Sequence, residues 1–259
     1  MWKILPLVLV LAACSAKLPD RFETTPSVQE NPMAYELRDV PPLDGAPMTI
    51  GVYSFTDKTG QRAPSSTGAN LSSAVTQGAE VWVIDALLEA GGGKWFEVVE
   101  RVGMDNVVKE RQLIRSTREN YEQEPVPLKP MKFAGVILEG GIVGYDSNIT
   151  TGGQGARYFG IGTSQEYRID TVTVAMRLVS VSTGRVLMSV AAEKSIASYR
   201  QSADVFKFIE LGTRSVEVEN GYSINEPTNL AVRSAIEATV IEMIYEGVRK
   251  GLWNFKKQP

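Results

Sequence analysis

The chain of 259 residues contains no histidine and a single cysteine, and these two shortages close off most familiar site chemistry. Without imidazole there is no Ser-His-Asp arrangement and no histidine metal site. One thiol forms neither an internal disulfide nor a thiolate cage. Charge of one sign is also missing: Lys+Arg 27 against Asp+Glu 30 leaves no basic excess for nucleic acid. The apolar run at the start, Ile4 to Val10, is too short to cross a bilayer as a helix.

What is present begins with residues 1–13, which read as a signal peptide: Lys3 supplies the positive start and Ile4 to Val10 the apolar segment. Leu11-Ala12-Ala13-Cys14 looks like a bacterial lipobox. There small residues fit the signal peptidase and the Cys14 thiol takes the lipid, which would explain where the lone cysteine stands. Ser15 follows rather than Asp, which favours the outer membrane. Residues 14–47 read as a lipidated tether: Pro19, Pro26, Pro32, Pro41, Pro42 and Pro47 are expected to forbid a helix through it.

The body is expected to be α/β. Met48 to Phe55 alternates as a strand, and residues 57–73 are a loop. A helix capped by Ser72 or Ser73 runs to about Ala90, with Val81, Ile84 and Leu88 on one face, and stops at Gly91-Gly92-Gly93. Trp95 to Val99 is a short strand. Asp105 to Glu119 is a charged helix burying Val108, Leu113 and Ile114. Phe133 to Val143 is a strand; Val172 to Val181 and Val186 to Glu193 form a hairpin turning at Ser182-Thr183-Gly184-Arg185. Asn229 to Lys250 is a long helix apolar around most of its circumference. The soluble part is therefore residues 48–143, 171–194 and 228–259, a small sheet with helices packed on it.

Two stretches interrupt this body. In residues 144–170, Tyr167 and Ile169 are apolar at odd positions, whereas from Val172 the even positions Val172, Val174, Met176 and Leu178 take over. A one-residue change of phase moves the apolar side to the other face of a strand. Either a β-bulge in a soluble sheet or a strand passing from one solvent into another produces this. Residues 195–227 repeat the behaviour, with Val216 and Val218 alternating with Ser215, Glu217 and Glu219. Two hairpins with strands of roughly ten residues, weakly amphipathic, match the transmembrane β signature.

Catalytic readings fare poorly. Gly152-Gly153-Gln154-Gly155 has no Lys-Ser/Thr after it and opens no helix, so it makes no phosphate cradle. Glu217 and Glu219 share a strand face, which suits an acidic lining or a solvated strand edge better than an acid/base pair. The chain is not expected to be an enzyme, and no metal or cofactor is implied.

Gly152-Gly153-Gln154-Gly155-Ala156-Arg157-Tyr158-Phe159-Gly160-Ile161-Gly162, Val179 to Gly184, Ile224 to Pro227, Ser234 to Glu237 and Gly251-Leu252-Trp253, in this order, resemble the curli secretion lipoprotein family, CsgG, over nearly the whole chain from Cys14. The resemblance implies an outer-membrane channel for unfolded amyloid subunits, working without nucleotide. Each subunit would lend two β-hairpins, 144–170 and 195–227, to a transmembrane barrel shared by about nine copies, the very wide kind of barrel. It further implies a homo-oligomer with a periplasmic cap protein, surface accessory proteins and outer-membrane lipid as partners. The pore constriction would lie in loop 57–73, with Asn70 at the family's asparagine, Leu71 in place of its phenylalanine and Ser65 near its tyrosine. A leucine-serine version offers less flat surface to a passing chain than an aromatic ring does. Glu217 and Glu219 match acidic positions facing the barrel lumen. From other classes, a periplasmic lipoprotein regulating an envelope or cell-wall machine fits the lipobox and tether but leaves both hairpins unexplained. An acylated surface hydrolase using carboxylates has no acid/base motif to support it.

Overall fold

The computed structural model describes residues 31–62, 73–124, 126–152, 161–208, 215–225 and 228–257; within these, 147–152, 161–168, 196–208 and 215–225 are described by backbone pairing alone. The elements run α1 (Ala34–Arg38), β1 (Met48–Asp57), α2 (Glu80–Gly93), β2 (Phe96–Val99), α3 (Met104–Tyr121), β3 (Val136–Gly152), β4 (Ile161–Ser180), β5 (Val186–Phe208), β6 (Ser215–Asn225) and α4 (Thr228–Arg249). The strands make one mixed sheet in the order β2-β1-β3-β4-β5-β6. β1 lies parallel to β2 and β3, with a helix in each crossover as parallel pairing requires. From β3 onward every neighbour is antiparallel. The α/β class read from the sequence is what the fold shows.

One face of the sheet carries the core. Ile50, Val52 and Phe55 of β1, Leu138 and Ile142 of β3 and the even-numbered Val172, Val174, Met176 and Leu178 of β4 are buried. They belong to one cluster with Val83 and Leu87 of α2 and Ile236, Val240 and Ile244 of α4. Each such side chain contributes about 1.5–3 kcal/mol by leaving water. On the opposite face of the sheet Tyr53, Arg177 and Ser189 are exposed, and α1, α2 and α4 pack on the core side.

α2 departs from the sequence reading at its start and in its buried face. It begins at Glu80, behind an Ala79 without side-chain capping, well after Ser72 and Ser73. Val83, Ala86, Leu87 and Ala90 are buried, while Val81 and Leu88 are 57% and 51% exposed. Both sets have helical spacing, and periodicity cannot choose between them. The face with two alanines wins, because small side chains let α2 approach α1 and α4, both of which it contacts. The glycine stop holds: Gly91, Gly92 and Gly93 all have positive φ, and a Cβ on Gly91 would lie 2.4 Å from the Trp95 ring.

Two further expectations are corrected. α3 buries none of its residues; Val108 and Leu113 are exposed and Ile114 only half-buried, because nothing of the core reaches this helix. Within the proline-rich segment, α1 occupies five residues between Pro32 and Pro41. Leu37 within it and Val40 just after it enter the core, so the segment read as a tether is packed structure at that point.

α4 is buried around most of its circumference as expected. At its end the Trp253 ring lies over Gly247, where a Cβ would stand 2.0 Å from it, and its Nε1 donates to the Ile244 carbonyl at 2.8 Å. That contact gives Gly251-Leu252-Trp253 its packing role. α4 also holds a buried ion pair one turn apart: Arg233 Nε donates to Glu237 Oε1 at 3.1 Å. Glu237 Oε2 accepts the Met33 backbone N–H at 2.8 Å. The Arg233 guanidinium also bonds Asn31 and lies 3.5 Å from Asp85. Residues at the entry to the body are thereby latched to α4. Breaking one partner of such a pair costs about 3–5 kcal/mol.

Burial raises the Glu237 carboxyl above its ordinary value, against the pull of Met33 and Arg233. Between its unfolded and its raised folded titration the native state holds more protons, so this group's contribution to stability falls as pH rises through that window. Thermal melts of wild type and Glu237→Gln from about pH 4 to 8 are expected to show wild type losing ground to the variant with rising pH, then a constant difference once Glu237 is ionised. A constant difference throughout would assign Glu237 an ordinary titration.

Candidate functional site

β4 and β5 are 20 and 23 residues long, several times the usual strand, and at about 3.3 Å per residue each reaches roughly 65–75 Å. They run from the core out through both stretches that interrupt the sequence pattern. β3 pairs with β4 from Val136↔Ser180 to Gly152↔Gln165, and β5 with β6 from Ser198↔Asn225 to Phe208↔Ser215. No break in strand marks Gly144, Asp170 or Ser195. β3, β4 and β5 in these outer pairs are the body's own strands continued, and β6 joins β5 only there.

The change of apolar side at Asp170 has a definite origin. β4 stays in regular register with β5 from Ile161 to Leu178, so β4 itself does not slip. The nearby irregularity is a bulge in β3 between Ile142 and Gly144, leaving Val143 47% exposed. Along β4 the even positions stay inside as far as Asp170, which is 6% exposed and accepts a hydrogen bond from the Tyr145 hydroxyl at 3.1 Å. Ile169, next to it, is 46% exposed. The strand keeps its faces, and the chemistry of the faces exchanges.

Register carries this exchange outward, since directly opposed residues share a face. On the face that continues the core, Arg168 opposes Ser198, Glu166 opposes Arg200 and Ser164 opposes Ser202. Asp204 then opposes Glu219, and Phe206 opposes Glu217. On the other face Ile169 opposes Ala197, Tyr167 opposes Tyr199, which opposes Ile224, and Ile161 opposes Val205, which opposes Val218. Ile149, Ile196, Phe206 and Phe208 fall on the first set, Asn148, Gln165, Gln201 and Lys207 on the second, so the separation is incomplete. Glu217 and Glu219 stand together on the polar set.

Edges complete the geometry. β1 accompanies β3 only to Asp57↔Ile142; beyond it, β3 has β4 on one side and no described strand on the other. β6 ends the sheet. The four extended strands thus have an open edge on each side among the described residues.

At the end of β1, a compact neck closes the loop that follows. Asp57 Oδ1 accepts from the Thr59 backbone N–H at 2.8 Å and the Thr59 hydroxyl at 2.6 Å, an Asx turn. Gln77 Nε2 donates to Asp57 Oδ2 at 3.2 Å, Ala74 N–H to the Gln61 carbonyl at 3.0 Å, and Arg62 bridges Ser73 as an antiparallel pair. Ser65, Asn70 and Leu71, expected at the constriction, and Cys14 lie outside the described residues. The role of Asp57 was missed in the sequence, although Asp57-Lys58-Thr59-Gly60 carries an Asx-turn signature. Beside the neck, Lys58, Tyr53, Val143 and Arg177 rim a cleft of about 390 Å³ on the uncovered sheet face, where Arg177 donates to Glu139 Oε2 at 2.6 and 3.0 Å. Among the described residues no cluster of three or more Cys, Asp or Glu could hold a metal, and no helix is long and apolar enough to cross a membrane.

Comparison with known proteins adds an independent finding. Residues 31–259 match the sequence model of a family described as "Curli production assembly/transport component CsgG". A protein of that description from Salmonella typhimurium is 38% identical over 258 residues, 98% of this chain and 91% of the relative. That from Citrobacter koseri is 38% identical and that from Escherichia coli (strain K12) 37%, with the same coverage.

The neck predicts its own weak point. Asp57→Ala removes the acceptor for three donors, at about 1 kcal/mol for each net bond. Hydrogen exchange of the Thr59, Gln61 and Ala74 amides is expected to quicken about tenfold or more, while amides in the centre of α4 keep wild-type rates. Unchanged exchange at 59–61 would show that the neck does not depend on Asp57.

Proposed function

The chain belongs to the CsgG family of curli production assembly/transport components, and from that premise we propose that it is an outer-membrane channel exporting unfolded curli-type amyloid subunits from the periplasm. The observation that carries this reading is the exchange of faces at Asp170. A soluble sheet would keep its apolar residues on the core side. Here the apolar set, from Ile169 outward, moves to the side away from the core, where lipid would lie. The polar set, with Glu217 and Glu219, lines the interior.

Nine residues from Ile161 to Ile169 match the strand length that crosses a bilayer at a tilt. The open edges support a ring. In hydrocarbon every unpaired backbone group costs several kcal/mol, and β6 of one copy against β3 of the next is the pairing that removes both edges. Three antiparallel pairings separate β3 from β6, so that contact is antiparallel too and the alternation continues around the ring. About nine copies of four strands would give the very wide barrel class. A monomeric envelope regulator would leave both edges open.

In this reading Cys14 carries the lipid anchor, and the loop held by the Asp57 neck projects Ser65, Asn70 and Leu71 into the pore as its constriction. Transport needs no nucleotide; an unfolded chain diffuses through a polar lumen, assisted by a periplasmic cap and surface accessory proteins. The chain's own part is passage, with no bond made or broken.

Planar-bilayer recording of the detergent-purified full-length lipoprotein tests the proposal. Large, uniform conductance steps are expected, and Asn70→Ala with Leu71→Ala is expected to raise them. Silence from a well-formed sample contradicts the channel; steps unchanged by the double variant place the constriction elsewhere.

A further inference from the structure

Helix α3 stands apart from the core, with none of its 18 residues buried. Most helical stability comes from packing, so an unpacked helix of five turns needs another reason to be kept. It is held in shape by its own return segment. Arg111 Nη2 donates to the Lys129 carbonyl at 2.7 Å and Arg118 Nη1 to the Val126 carbonyl at 2.6 Å, strapping residues 126–129 alongside the helix. Arg118 also lies 3.8 Å from Glu122.

Arg115 falls between these two on the same helical face, one turn from each. It is exposed and has no hydrogen-bond or ion-pair partner among the described residues. With Arg111 and Arg118 it lines a groove of about 250 Å³, whose far wall is Val126, Pro127 and Leu128 and whose single acidic member is Glu119. Two guanidiniums are fixed by carbonyl bonds and the third is left facing an apolar wall. A fork of donors in that setting matches a carboxylate, and the wall suits an aliphatic side chain next to it. The groove is net positive in a chain of net charge −3, so it selects against its own average surface.

We propose that this groove docks an extended acidic polypeptide segment, its carboxylates taken by Arg115 and its neighbours and its apolar side chains by Val126 and Leu128. The assignment goes beyond the channel reading and stands without it.

The test uses the full-length lipoprotein in detergent and a fluorescent peptide of about ten residues alternating Glu and Leu, with a Gln-Leu peptide as control, read by fluorescence anisotropy. The Glu peptide is expected to bind at least tenfold more tightly than the control, a difference of about 1.4 kcal/mol. Arg115→Glu is expected to abolish the preference, and Arg115→Lys to keep part of it. Because Arg115 bonds nothing among the described residues, both variants are expected to melt as wild type does. Equal binding of the two peptides overturns the proposal, as does wild-type binding by Arg115→Glu. Full displacement by inorganic phosphate at the peptide's own concentration also overturns it, since that marks a simple anion site.

Discussion

A backbone amide at a strand edge has only water or another strand to bond, and hydrocarbon removes the water. The rest of this molecule follows from that constraint. Three strands leave the core as continuations of body strands, β3 without β1 beyond Ile142, and β6 joins β5 beyond the core as the last of the sheet. Such an array is satisfied in lipid only when the two edges meet their counterparts on other copies. In the proposed channel, membrane insertion and oligomerisation would therefore be one event.

α2 and α4 lie on one face of the sheet, and β4 and β5 pass from the core into the extended region without a register fault between them. The exchange of apolar side occurs where Asp170, inside, meets the Tyr145 hydroxyl, so the polar set begins at the edge of the hydrophobic core. The Asp57 neck stands close by, since Lys58 N–H bonds the Ile142 carbonyl one residue before the β3 bulge. The neck, the bulge and the strand extension therefore share one anchorage.

Much of this was legible in the sequence, and what was not has physical causes. Strands with strict alternation, the Gly91-Gly92-Gly93 stop and the all-round apolar α4 were readable because one local rule decides each. The phase change at Asp170 was readable too, though its two explanations were not separable: the bulge exists, but in β3, and β4 keeps its faces. The buried side of α2 was misread because Val81-Ile84-Leu88 and Val83-Ala86-Leu87-Ala90 are equally periodic, and neighbouring helices select the set with small side chains. α3 reads as an amphipathic helix although it meets no core. Glu237 stood in a recognised motif without a role, since its partner Met33 is 204 residues away. The constriction residues Ser65, Asn70 and Leu71 and the lipidation site Cys14 rest on motif and family resemblance.

The central claim is that the extended strands exist in the membrane only as a closed ring. Native mass spectrometry of the full-length lipoprotein, extracted from membranes in mild detergent, tests it most directly. A single closed assembly of about nine copies, with no monomer across a wide protein concentration range, is the predicted result. A stable membrane-extracted monomer, with the backbone of β3 beyond Gly144 and of β6 protected from hydrogen exchange, would contradict it.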